Sequence, residues 1–169
     1  MKLHGSITIN GRAYARGDDI PWTSVYPFFL IHMLAFGGSG FVMAYGAGAP
    51  VPFLFLHAGI AILVYTLFYL TIFGRDEVKW MFINAGLGLL GIYSQIDWLL
   101  SLFGRRVADY PVYVHVVPFL YFVLYTFLIR HAVLDLLGAR EDETKRTRVE
   151  YAYVGASVAV YLLAHFLEA

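Results

Sequence analysis

The sequence predicts an all-α fold: an integral membrane bundle of five transmembrane helices, preceded by a short N-terminal cytoplasmic β-hairpin. Three observations predict it. Of 169 residues, 60% are hydrophobic and only 14% charged, whereas soluble domains carry about a quarter charged residues. Five apolar stretches long enough to approach or cross a hydrocarbon core of roughly 30 Å follow one another. Lys and Arg gather in alternate connections between them, as they do when a chain crosses a membrane repeatedly.

Two exclusions come with the composition. Twelve basic and twelve acidic side chains leave no net charge, so nothing points to nucleic acid as a partner. Cysteine is absent, which removes disulfides, thiolate metal sites, iron–sulfur clusters and cysteine nucleophiles together. The length fits one domain, with residues 1–24 as a leader and 25–169 as the membrane domain.

The leader is polar and lacks the apolar core of a cleavable signal peptide, so insertion is expected through the first span. Within it, Ser6-Ile7-Thr8-Ile9, then Asn10-Gly11, then Arg12-Ala13-Tyr14-Ala15 is a hairpin signal. Asn-Gly supplies the two positive φ values of a type I′ turn, and β-branched residues precede it. A lone hairpin is marginal in water and needs a surface, either the adjoining loops or a partner.

The first span is expected near 25–45, with Pro27 at its first turn, where a missing N–H does no harm. The second lies near 52–73 and the third near 80–103. The fourth, near 112–137, is nearly unbroken in apolar character yet carries His115, Arg130, His131 and Asp135. The fifth, near 151–167, is short, and residues 141–150 are expected to extend it as a polar helix. There Glu141 with Lys145 and Asp142 with Arg146 are i,i+4 pairs of the favourable orientation.

Orientation follows from basic residues. Lys2, Arg12, Arg16, Arg75, Lys79, Arg140, Lys145, Arg146 and Arg148 share one face, nine in all, against Arg105 and Arg106 on the other. Nine against two puts the N-terminus in the cytoplasm and the C-terminus outside a plasma or inner membrane.

Gly86-Leu87-Gly88-Leu89-Leu90-Gly91 matches G-x-G-x-x-G. Nucleotide binding requires a strand before that motif and an open helix N-terminus after it, whereas this run lies within a span. There, glycines permit close approach of another backbone or of a flat ligand, and Gly37-Gly38-Ser39-Gly40 in the first span reads the same way.

The histidines are the candidate functional residues. His32 lies seven residues into the first span and His131 six from the end of the fourth. Both then sit roughly 10 Å below the inner boundary. His57, His115 and His165 lie within about 8 Å of the outer boundary by the same rule, with Asp97 close behind. His57, Ala61, Tyr65 and Tyr69 recur every four residues, as do Tyr153, Ser157, Tyr161 and His165, so each set lines one face of its helix. Asn84, Gly88, Gly91 and Gln95 share one face of the third span, and Ser94, Asp97 and Ser101 a neighbouring one.

Four readings fit this pattern. Histidines on separate helices at matched depth can be axial ligands of haem b, in an electron-transfer subunit working with a quinone or a partner redox protein. His32 with His131 would make an inner site and His57 with His165 or His115 an outer one, about 12 Å apart along the membrane normal. Arg130 inside, and Arg105 or Arg106 outside, could meet the propionates. The arrangement resembles membrane anchors of quinone-linked reductases in architecture alone. Alternatively His57, His115, His165 and Asp97 bind a divalent metal. A third reading lines a proton or small-solute path with Asp97, Asp135, Arg130 and the histidines. The fourth has no cofactor: the rings sit at the interfaces for their amphipathic character, His131 pairs with Asp135, and Arg130 snorkels to the inner headgroups. The protein is then a structural or assembly subunit, its partners the lipid bilayer and a membrane protein or a second copy. No nucleophile–base pair or acid pair at useful spacing is visible, which argues against an independent hydrolase.

Overall fold

A computed structural model describes residues 1–9, 11–46 and 48–167, with side chains described throughout except at 83, 84, 86–90, 157, 160, 161, 164, 165 and 167. Helix makes up 74% of the chain, and the sheet among the described residues is a single two-stranded hairpin. The order is β1 (Ile7–Ile9), β2 (Arg12–Tyr14), α1 (Trp22–Tyr45), α2 (Val51–Ile72), α3 (Arg75–Ser101), two 3₁₀ turns (Val107–Asp109 and Val112–His115), α4 (Val116–Leu136) and α5 (Glu143–Leu167).

Three segments are long and apolar enough to cross a membrane: Trp22–Tyr45, Val51–Ile72 and Val112–Leu136. Their outer surfaces fit that reading. Ile31, Leu34, Leu56, Leu63 and Leu67 all stand more than half exposed, which water would penalise and lipid tails would cover.

The hairpin forms where the Asn-Gly turn predicts it, with Ile9 opposite Arg12 and Gly11 at φ 77°; Asn10 lies outside the described residues. Ile7, Ile9 and Tyr14 pack against the main core, and the residues just before the hairpin are tied to the end of α2. The Thr71 carbonyl, without a partner inside its own helix end, accepts the N–H groups of both His4 and Gly5 at 2.9 Å. Leu3 and Ile20 bury beside it.

Several boundaries differ from expectation. α1 begins at Trp22, so Pro27 stands inside the helix rather than in its first turn, and cannot donate to the Thr23 carbonyl. The fourth span is not one helix: Val112–His115 is a 3₁₀ turn and α4 starts at Val116. Pro118 explains the break, because it lacks the N–H that an α-helix begun at Val112 would give the Val114 carbonyl. α5 does extend the fifth apolar stretch toward its N-terminus, but from Glu143. The expected Glu141–Lys145 and Asp142–Arg146 pairs do not form among the described residues. Asp142 instead caps the helix, accepting the Lys145 N–H at 3.0 Å, and Arg146 turns to Glu77 and Glu150. The Gly86–Gly91 run falls inside α3, the context that excludes a phosphate-binding turn.

The main core joins α1, α2 and α4 through Phe29, Met33, Tyr65, Tyr69, Leu124 and Leu128. Tyr69 is fully buried and donates to the Leu124 carbonyl at 3.1 Å. A smaller core of Tyr45, Ile92, Ile96, Leu100, Val107 and Val114 ties α3 and the following loop to the end of α1. Contacts therefore alternate from end to end. The leader, the start of α1, the end of α2, the start of α3, the end of α4 and the start of α5 meet at one end. The end of α1 and the α3–α4 loop meet at the other.

Candidate functional site

Where the glycines of α1 meet α2 and α4, the chain supplies a ring of its own. Tyr121 of α4 lies flat enough on α1 that a Cβ on Gly40 would come 2.8 Å from its Cε2, and one on Gly37 3.5 Å from its Cδ1. The Tyr121 hydroxyl lies 2.8 Å from His57 Nδ1, and Ser39 Oγ lies 3.3 Å from His57 Nε2. Ser39 has one hydroxyl proton, and it points to the Phe36 carbonyl at 2.8 Å. Ser39 therefore accepts from His57 Nε2–H, and Nδ1 accepts the Tyr121 proton, a neutral imidazole with both nitrogens engaged. Ser39 and His57 are consequently not a nucleophile and its base, since the proton such a base would take is held elsewhere.

The residues of the proposed inner pair face different surroundings. His32 is exposed, its Nδ1 2.8 Å from the Phe28 carbonyl and its ring 4.1 Å from that of Phe28. His131 is fully buried, 4.4 Å from the ring of Phe73 and 4.4 Å from that of Phe127. One histidine looks out of the bundle and the other into it.

At the opposite end, His115 Nδ1 lies 2.8 Å from the Tyr45 hydroxyl. Among the described residues Asp97 turns to the loop and not to a histidine: it accepts the Val107 N–H at 2.7 Å and faces Arg106 at 3.4 Å. His165, Ser157, Tyr161, Asn84 and Gly88 lie outside the described side chains. Among the described residues, no group of three His, Asp or Glu side chains is gathered as a metal site requires.

The remaining ionic groups tie helices together. Arg130 of α4, 12% exposed, contacts Glu77 of α3 at 3.4 Å and also Glu150 of α5. Arg146 completes the square, 2.7 Å from Glu77 and 3.1 Å from Glu150. Two guanidinium groups thus face two carboxylates, and Arg130 bonds acids rather than reaching for headgroups. Burial pushes the Glu150 carboxyl up, but the hydrogen bonds and charges of Arg146 and Arg130 outweigh it and hold the group below the ordinary range. Burial lowers Arg146 in turn, yet its two acids keep it above its ordinary value.

His131 Nε2 stands 3.5 Å from Glu77, but neither ring nitrogen makes a hydrogen bond among the described residues. The expected His131–Asp135 pair is replaced. Asp135 accepts from the Tyr26 hydroxyl and from Arg140, whose Nη2 lies 2.9 Å from it and 3.0 Å from the Tyr26 oxygen. Burial lowers Arg140 as well, and the Asp135 and Tyr26 bonds lift it above its usual value.

Tyr26, Ser39, Glu77, Tyr121 and Glu150 escaped the reading of the sequence as site residues. A signal existed for the two glutamates: Arg130, more than a turn inside its span, required an acid at the same depth. Tyr121 had none beyond its level with the glycines of α1. The described side chains hold tyrosine–histidine and arginine–carboxylate bonds that tie helices to one another. Compared with known proteins, the chain matches no protein-family model, no curated protein and no solved structure.

Proposed function

We propose that this protein is a cofactor-free structural or assembly subunit of a membrane complex, with five helices across the bilayer. One contact carries the reading: the Tyr121 ring lies in the notch at Gly37 and Gly40, where a flat ligand would have to lie, and its hydroxyl engages His57. A haem iron bound at His57 Nε2 would need the other tautomer, so the Ser39 bond would be given up and the Tyr121 bond reversed, with Nδ1–H donating to the hydroxyl oxygen. At the inner level, His32 would have to turn from the outside of the bundle to reach an iron shared with His131.

The five-span arrangement extends the three apolar segments to α3 and α5. At 27 and 25 residues, these run roughly 40 and 37 Å, enough for the bilayer. The square of Glu77, Arg130, Arg146 and Glu150 then lies at the cytoplasmic boundary, with the nine basic residues on that side, and the C-terminus outside.

The test is threefold and uses the full chain. Protein made with haem supplied is expected to give no Soret band, and native electrophoresis of gently solubilised membranes a species larger than the chain. Single cysteines placed at Gly104 and beside Arg148 in this cysteine-free background are expected to label from outside and from the cytoplasm respectively. A reducible Soret band abolished by His57→Ala would overturn the cofactor-free reading. Migration as a lone chain would overturn the subunit role.

A further inference from the structure

At the end of the bundle opposite the leader, an open cavity of about 370 Å³ lies among the end of α1, the start of α2 and the α3–α4 loop. Its walls are of two kinds. Met43, Val51 and Leu54 give an apolar side, while Arg105, Tyr110 and Tyr113 give polar groups. Among the described residues no acidic side chain lines it, and the formal charge among them is the Arg105 guanidinium.

That guanidinium is half used. Its Nη1 donates to the Tyr45 carbonyl, the last of α1, and to the Tyr110 hydroxyl at 2.9 Å. Of its five N–H donors, the three on Nε and Nη2 make no hydrogen bond among the described residues. The neighbouring Arg106 faces Asp97 at 3.4 Å, whereas Arg105 forms no ion pair among them. Among the described residues it is an exposed cation without an acidic partner, tied through Nη1 to a helix end.

The level of the cavity identifies its ligand. α1 ends at Tyr45, α2 begins at Val51 and the apolar segment Val112–Leu136 begins beside it. This is the depth at which hydrocarbon gives way to headgroups, and the anion abundant there is a phosphodiester. Guanidinium matches phosphate oxygens in a two-pronged geometry, tyrosine hydroxyls suit the interface, and the apolar wall suits the first carbons of an acyl chain. We infer that this cavity binds the phosphate of an anionic phospholipid through Arg105, assisted by Tyr113, with the lipid's acyl chain against Met43, Val51 and Leu54.

The same chemistry would accept a soluble phosphate ester, so the experiment separates the two. Native mass spectrometry of the detergent-purified chain is run with added phosphatidylglycerol, with phosphatidylcholine, and with glycerol 3-phosphate. One phosphatidylglycerol is expected to be retained about tenfold better than phosphatidylcholine, the scale of a charge-assisted hydrogen bond. Glycerol 3-phosphate is expected not to displace it. Arg105→Gln is expected to abolish the preference. Because that change also weakens the α1 cap, Ala49→Trp is the second variant, filling the cavity while leaving Arg105 and its bonds intact. It is expected to abolish retention too. Equal retention of the two lipids, unchanged preference in Ala49→Trp, or displacement by glycerol 3-phosphate would each overturn the assignment.

Discussion

Tyr121 occupies the space that Gly40 leaves: a Cβ at that glycine would stand 2.8 Å from the tyrosine's Cε2. Real Cβ atoms do not approach so closely. The ring belongs to a buried side chain of α4 that is also bonded to His57, so it has little freedom to withdraw. The glycine thereby fixes how closely α1 and α4 approach.

Gly40→Ala is accordingly expected to destabilise the bundle by about 1–3 kcal/mol, the usual range for overpacking. Gly38, two residues away, has nothing within 4 Å of its would-be Cβ. There the same substitution is expected to raise stability by about 0.5–1 kcal/mol through helix propensity alone. Thermal unfolding of the two variants in one detergent checks both signs.

The hydrogen bond between Tyr121 and His57 is measurable by itself. Tyr121→Phe keeps the ring in its notch, and His57→Leu removes the acceptor. A double-mutant cycle is expected to return a coupling of about 0.5–1.5 kcal/mol. Additive effects would mean that the two side chains stand together without bonding.

His131 gives the opposite expectation. It is fully buried among aromatic rings without a hydrogen bond among the described residues. Replacing a polar side chain in that state by an apolar one of similar size costs little or helps. His131→Leu is expected to leave the unfolding temperature unchanged or raise it. A drop worth about 3 kcal/mol would show that the imidazole is engaged after all.

Glu77 faces both Arg130 and Arg146, so Glu77→Ala takes an acid from each. The expected loss is about 2–3 kcal/mol, as for hydrogen bonds between charged groups. It is expected to appear locally first, because Glu77 connects α3 to the start of α5. Faster proteolysis between residues 137 and 143, ahead of global unfolding, is the readout.

Acid acts on the same square through Glu150. Its folded carboxyl lies below the ordinary value of about 4.5, so the unfolded chain takes up the proton first. The stabilisation is therefore full above that ordinary value, and is lost as pH falls through the lower, folded one. Glu150→Gln is expected to remove this part of the acid transition while leaving neutral-pH unfolding cooperative. Circular dichroism melts from pH 7 down to pH 3 measure it.

Much of this was readable residue by residue. Asn10-Gly11 marked the hairpin, and the alternation of Lys and Arg between connections matched the end-to-end contacts. The stripe His57, Ala61, Tyr65 and Tyr69 did face inward, with its last three residues buried. The contacts of each histidine were not readable. His32 and His131 were expected at one depth, yet one is exposed and the other wholly enclosed. Likewise Asp97 was expected at the level of His115 but binds the loop backbone.

By itself, the order of residues determined a mostly helical chain with apolar segments long enough to cross a membrane, the approximate extent of its helices, and an expected height for each polar group. Height follows from a constant 1.5 Å per residue along a straight rod. Only tertiary structure decided which way each rod is turned, and hence that Tyr121 meets Gly40, that Arg130 meets two acids and that Arg105 meets none among the described residues. In water, an apolar stripe announces which side of a helix is inward. Here lipid tails are as oily as the core, α1, α2 and α4 are apolar around their whole circumference, and rotation is left to the fit of side chains against neighbours far away in the chain.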